Sequence, residues 1–297
     1  MENFADILFQ RRFDIQSNLI LNIEYGYGDL PESLKQNKKN EFGRNWASVS
    51  ESLVAYGELL IEASYKYIAA VNIDFSSFVQ YGAYGLRALE CLIMKALEKE
   101  LPVIIDTRVA DYRGPNKTIV GNAFIGYVNG WDGWQPSNIH AHAMSIMTYK
   151  GKQMIEQYLE ICLRMQRGLL LLIDNEYQPD WKWLAQKSST LLGNKLDRSG
   201  LILYLENEAV QLIENIYKTS LTAIMDIPDD FDNMQIKSFW DKLNHKTKIQ
   251  SFVLIDKEKL DYLKINNQIT NSNIDSAIDK MSFVRESLDV YREMFYK

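Results

Sequence analysis

Cysteine, histidine and proline are scarce in this chain, at 2, 3 and 6 of 297 residues. Cys91 and Cys162 both fall in helical patterns, so they offer no disulfide framework and no cysteine metal site. They read as core packing in a reducing cytoplasm. No apolar run approaches the ~20 residues of a membrane span. The amino-terminal MENFADILFQRRFD has no positive region leading into an apolar one, so no signal peptide is expected. A basic stripe is also missing: KQNKKN (35–40) reads as a solvated loop, and the net charge of −6 argues against nucleic acid or an anionic membrane as partner. Neither GxGxxG nor Walker A occurs, and no Ser-His-Asp ordering or nucleophile elbow stands out. No cofactor and no metal are expected.

What is present is an ordinary globular composition, 46% hydrophobic and 24% charged, on a chain long enough for one large α/β barrel or two smaller domains. Short apolar runs alternate with amphipathic stretches throughout. Strands are predicted at 19–25, 68–75, 102–108, 143–147, 169–174, 222–227 and 251–255, with a faint eighth around 263–269. Between them, Leu86, Leu89, Ile93 and Ala96 share one helical face. Ile155, Leu159 and Cys162 share another before Gly168 ends it. A last helix carries Ile278, Met281, Val284, Leu288, Tyr291 and Phe295. Strand–helix alternation of this kind gives a parallel sheet with helices outside. With no linker, repeat or low-complexity segment, the reading is a single TIM-type (β/α)8 barrel over residues 1–297.

The segment PVIIDTRVADYRG (102–114) carries the chemistry. Four apolar residues run into Asp106 and Arg108, and Asp111 follows three positions later. Barrel active sites lie at the carboxyl ends of the strands, where these residues would emerge. Residues two apart on a strand share a face, so Asp106 and Arg108 can enter one cavity, either as a functional pair or as an ion pair of the rim.

The stretch YIAAVNIDFSSFVQYGAYGLRALECLIMKALEKELPVIIDTRVAD (67–111) resembles the second and third strand–helix units of bacterial orotidine 5′-monophosphate decarboxylases. LILNIEYGYGDLPESL resembles the first strand and its loop. HAMSIMTYKG, RGLLLLIDNE and TAIMDIPDDF resemble the fourth, fifth and sixth strands. The resemblance covers most of residues 5–255 and is weaker over Gln186–Ser220. It implies the barrel fold, and it places the family's Lys-Asp-Lys-Asp array here residue by residue. Asn72 stands where the first lysine would be, Asp106 matches the first aspartate and Arg108 the proton-donating lysine. Asp111 matches the aspartate that reaches across a dimer interface. Glu24 replaces a ribose-binding aspartate, and Glu176 lies near the expected base contact in DNEYQ.

Both acids are therefore kept and both lysines lost. Lysine releases a proton near a pKa of about 10.4, whereas arginine holds its own beyond about 12.5. Arginine is a good anion clamp and a poor general acid. The glycine-rich phosphate loop expected after the seventh strand has no counterpart in DKEKLDYLK, where Lys257 and Lys259 are point charges among acids. Arg113 and Lys117, in DYRGPNKT, either restore positive charge or simply flank a turn set by Gly114-Pro115.

The expectation is a cytoplasmic homodimer whose barrel mouth binds a small anionic, nucleotide-like ligand without the family's decarboxylation. The alternatives are a working decarboxylase (a carbon–carbon lyase forming UMP) and an inactive dimeric scaffold. Two further features carry weaker readings. His140 and His142 are expected at the amino end of the fourth strand, away from the site, with His245 on the surface. GYVNGWDGWQPSN (126–138) reads as a loop folded onto its own tryptophans or buried at a dimer seam, rather than as an exposed aromatic patch.

Overall fold

A computed structural model describes residues 2–108, 118–173, 179–195, 198–205, 221–226 and 251–255. Eight parallel strands close into a barrel: β1 (Leu19–Ile23), β2 (Ala70–Asp74), β3 (Val103–Asp106), β6 (Ala143–Met147), β7 (Gly168–Ile173), β8 (Leu201–Leu205), β9 (Thr222–Asp226) and β10 (Ser251–Ile255), with β10 pairing back onto β1. A separate antiparallel hairpin, β4 (Tyr127–Gly130) and β5 (Gly133–Pro136), interrupts the series. The helices are α1 (Phe4–Ile15), α2 (Glu32–Phe42), α3 (Trp46–Ser64), α4 (Phe75–Val79), α5 (Gly82–Glu98), α6 (Thr118–Ile125), α7 (Lys152–Met165) and α8 (Trp181–Lys187). Among the described residues no helix is long and apolar enough to cross a membrane.

Strand residues alternate between two cores, as a period of two requires. Leu19, Leu21, Ile23, Val71, Ile73, Val103 and Ile105 face outward and pack with Leu89, Leu92 and Ile93 of α5 and Leu159 and Cys162 of α7. Ile20, Ala70, Ile104, Ala143, Leu170, Ile202, Ile224 and Phe252 face inward. Phe4, Leu8 and Phe9 of α1 join that inner cluster and plug the amino end of the barrel. Asn3 caps α1 by accepting from the amides of Ala5 and Asp6, and the buried Asp6 carboxylate accepts from the amides of Asn194 and Lys195. Gly168 must be glycine, because a Cβ there would lie 2.1 Å from the Phe4 ring.

Three details differ from the sequence reading. The overlooked strand is β8, LILYL, in the region where the resemblance is weakest. TAIMD is consequently the seventh barrel strand rather than the sixth, and SFVLI is the eighth. The candidate strand at 263–269 and the helix at 278–295 lie outside the described residues, and the barrel closes without them. Helix α7 is ended by Gln166 in the left-handed region (φ 55°), while Gly168 already opens β7. The tryptophan segment is a β-hairpin, not a loop folded on itself. A two-residue turn connects its strands, and Trp131 and Trp134 are 86% and 69% exposed.

Candidate functional site

The site follows from the same alternation. Moving two residues toward the carboxyl end from Ile20, Ala70, Ile104 and Ala143 gives Asn22, Asn72, Asp106 and Ser145, all buried. The inward face therefore turns from apolar to polar within one step on four adjacent strands. The parallel ladders set Asn22 beside Asn72 and Asp74 beside Asp106. Tyr204 of β8, also buried, extends this layer across the barrel.

Two hydrogen-bonded groups form the floor of the mouth. In the first, the Asn22 side-chain amide donates to Glu24 Oε2 at 3.0 Å, and that of Asn72 donates to Asn22 Oδ1 at 2.8 Å. In the second, Ser145 Oγ donates to Asp106 Oδ1 at 2.7 Å and accepts from the amide of Thr107 at 3.0 Å. The Arg108 amide donates to the same carboxylate oxygen at 3.2 Å. Arg108 Nε lies 2.8 Å from Asp106 Oδ2 as an ion pair. Its N–H is not aligned on that oxygen, so Oδ2 has a charge partner but no aligned hydrogen bond. The Arg108 guanidinium also lies 5.8 Å from the centre of the Tyr204 ring, within cation–π range. Asp74 is spent on capping α4, accepting from the amides and hydroxyls of Ser76 and Ser77.

Charge is unevenly compensated here. Burial pushes the Asp106 carboxyl above its ordinary range, against the opposing pull of Arg108 and the Ser145 bond, and Asp74 adds repulsion. Glu24 is an exposed residue at the rim, yet its carboxyl is also pushed up. Desolvation by the surrounding walls comes first, then Asp74, with Asn22 and Arg108 opposing. Two raised carboxyls in one layer at the barrel mouth single it out as the candidate site.

The structure thus brings Glu24, Asn72, Asp106 and Arg108 together. Asp111, Arg113, Lys117 and Glu176 lie outside the described residues, as does His245. Asn22, Asp74, Ser145 and Tyr204 were missed in the sequence. The first three stand two residues from a named site residue or are the polar position in an apolar strand, so parity would have found them. Tyr204 sits on the strand that was not recognised.

His140 and His142 stand at the amino end of β6, remote from the mouth. His142 Nδ1 accepts from the Val103 amide at 3.0 Å, and His140 Nε2 lies 2.6 Å from Arg167 Nη2. Burial, then Arg167 and His140, pushes His142 down to about 3, so it is a neutral structural histidine. Among the described residues no cluster of three or more His, Cys, Asp or Glu could hold a metal ion. A cleft of about 630 Å³ also opens at this amino end, lined by Asp6, Gln10, Arg11, Asp14, Glu100 and His142. It lies on the face of the barrel opposite the strands' carboxyl ends, where this fold keeps its chemistry.

The revised strand count bears on phosphate binding. The segment after the seventh barrel strand is residues 227–250, which contain no glycine, and DKEKLDYLK follows the eighth strand. The chain has no glycine at all beyond Gly200.

No protein-family model matches the chain. Over 173 residues, 58% of this chain, it is 25% identical to orotidine 5′-phosphate decarboxylase of Caldicellulosiruptor saccharolyticus, and the match spans 56% of that enzyme, little more than half its length. Among solved structures, a Toxoplasma gondii protein assigned as an orotidine-monophosphate decarboxylase superposes with a TM-score of 0.66 at 14% identity, covering 98% of both chains. Leishmania donovani OMP decarboxylase gives 0.60 at 14% identity, covering 98% of this chain and 99% of that one. Identities this low carry the fold alone, a closed parallel (β/α)8 barrel like those of the two solved structures.

Proposed function

We propose that the barrel mouth binds a small nucleotide-like ligand bearing an anionic group, and that the chain does not convert orotidylate to UMP by a lysine-dependent route. The observation that carries this reading is the pairing within the floor. Arg108, at the position of the expected proton donor, holds an ion pair with Asp106 at 2.8 Å. A guanidinium keeps its proton at any physiological pH, so this pair positions and screens but does not deliver a proton to a carbanion. Asn72, at the other expected lysine, is tied to Asn22 and carries no charge.

With no glycine in residues 227–250, a backbone cradle of close-approaching amides is not available on the seventh segment. The anionic group is met instead by side chains, Arg113 and Lys117 after β3 or Lys257 after β10. The chain acts as a homodimer with the mouths at the shared seam, through Asp111, as the resemblance implies. Sedimentation showing only monomer at micromolar concentration would remove this part of the proposal.

The decisive assay is UMP formation from orotidylate by the purified chain, with mass spectrometry of small molecules that co-purify. The expected result is no turnover, together with a nucleotide-like molecule retained by wild type and lost in Asp106→Ala. One observation favours a second reading, a working decarboxylase: the 25% match to a curated enzyme of that activity. Robust turnover abolished by Asp106→Ala would establish it and overturn the first. Neither turnover nor a retained molecule would leave the barrel as a scaffold.

A further inference from the structure

We infer that the part of the ligand reaching the floor of the mouth carries a positive charge, as an amine or amidine. This rests on the reading that the mouth is a ligand site, and it specifies what that site takes. The argument starts from the orientation of two amides. A carboxylate only accepts hydrogen bonds, so Asn22 must turn its NH₂ to Glu24 and its oxygen to Asn72. Asn72 must then offer its own NH₂ to Asn22 Oδ1. Glu24 thereby fixes both amides, and Asn72 Oδ1 is left without a hydrogen-bond partner among the described residues, on a side chain only 5% exposed.

Two further acceptors of the layer point the same way. Asp106 Oδ2 is buried and has no aligned hydrogen bond. Glu24 has no basic side chain within ion-pair distance among the described residues, since the single guanidinium of the layer is engaged with Asp106. Among the described residues three carboxylates (Glu24, Asp74 and Asp106) share the layer with one cation, Arg108, and Asp74 repels both of the others. A neutral hydroxyl could satisfy the acceptors but not the charge, and a carboxylate could satisfy neither. An ammonium donates up to three hydrogen bonds and neutralises the excess, so it fits both requirements.

Isothermal titration of the full chain with three matched nucleotides tests this. They are orotidylate, which has a carboxylate on pyrimidine C6, and the 6-hydroxymethyl and 6-aminomethyl analogues of uridine 5′-monophosphate. The aminomethyl compound is expected to bind about tenfold or more tightly than the hydroxymethyl one, the usual scale of a charge-assisted hydrogen bond, and orotidylate weakest. Asn72→Lys, which supplies the ammonium from the protein, is expected to abolish or reverse that order. Equal affinities for the first two, or orotidylate binding tightest, would overturn the inference while leaving a nucleotide site. If none of the three binds wild type or the variant, the nucleotide reading fails, and the inference falls with it.

Discussion

At the amino end of the barrel the inward positions carry Ile20, Ala70, Ile104 and Ala143, and Phe4, Leu8 and Phe9 close over them. Two residues further along the same four strands stand Asn22, Asn72, Asp106 and Ser145. The amino end is a close-packed apolar plug, with Phe9 edge-on to Phe252 at 5.5 Å. The buried carboxylate there among the described residues, Asp6, accepts two backbone amides. The carboxyl end holds carboxyls pushed toward protonation and acceptors without donors. One barrel thus separates a half that supplies stability from a half that gives some of it up, which is how functional sites commonly sit on a scaffold.

The comparison predicts unequal costs, and the largest lies in the plug. Leu8→Ala removes a fully buried side chain of the inner cluster and leaves a cavity that the surrounding strands cannot collapse into. A loss of about 2–5 kcal/mol in urea unfolding is expected. A loss under about 1 kcal/mol would mean that α1 is not an integral part of the barrel core. Next comes Ser145→Ala at the mouth. It deprives the buried Thr107 amide of its acceptor and Asp106 of a donor, for about 1–3 kcal/mol. The same variant should raise the Asp106 carboxyl further. The Asp106 carboxyl signal, followed by NMR against pH, should titrate at higher pH than in wild type.

The sequence showed the fold better than the site, and the reason is physical. Seven of the eight strands announced themselves as buried apolar runs between helical patterns. LILYL (201–205) has the same character but lies among segments where neither helical periodicity nor the resemblance gives a frame. At the site, Asp106 and Arg108 were legible because charge follows directly on an apolar run, whereas Asn72 and Glu24 were reached only through the resemblance. Which polar residues meet across strands depends on register, which a single sequence does not fix. That is why the Glu24–Asn22–Asn72 chain, the Ser145 donor and the Asp74 repulsion emerged only from the structure. The hairpin was not foreseen in the self-packed tryptophan loop for a related reason: Gly130 and Gly133 flank a two-residue turn, so the segment pairs with itself through its backbone rather than through its rings.

The smallest expected effect has the opposite sign, and it is the sharpest test of the comparison. Asp106→Asn removes a carboxyl whose folded-state pKa is raised, mainly by burial. A group of this kind contributes stability that is fully present below its unfolded pKa, about 3.9, and is lost as pH rises through the folded value. At pH 7 the wild-type carboxylate is therefore a net cost to folding, because burial outweighs the attraction of Arg108. The asparagine can still accept from Ser145 and the Arg108 amide, and Arg108, at 30% side-chain exposure, can turn to water. Asp106→Asn should accordingly be as stable as wild type at pH 7 or more stable, by up to about 1 kcal/mol. That advantage should shrink as the pH falls toward 4 and vanish below it. Melting temperatures of both proteins between pH 4 and pH 8 would show the two curves converging on the acid side. If Asp106→Asn were instead less stable at pH 7 and equal to wild type in acid, the Asp106–Arg108 pair would be a stabilising element, and the mouth would be no different in kind from the plug.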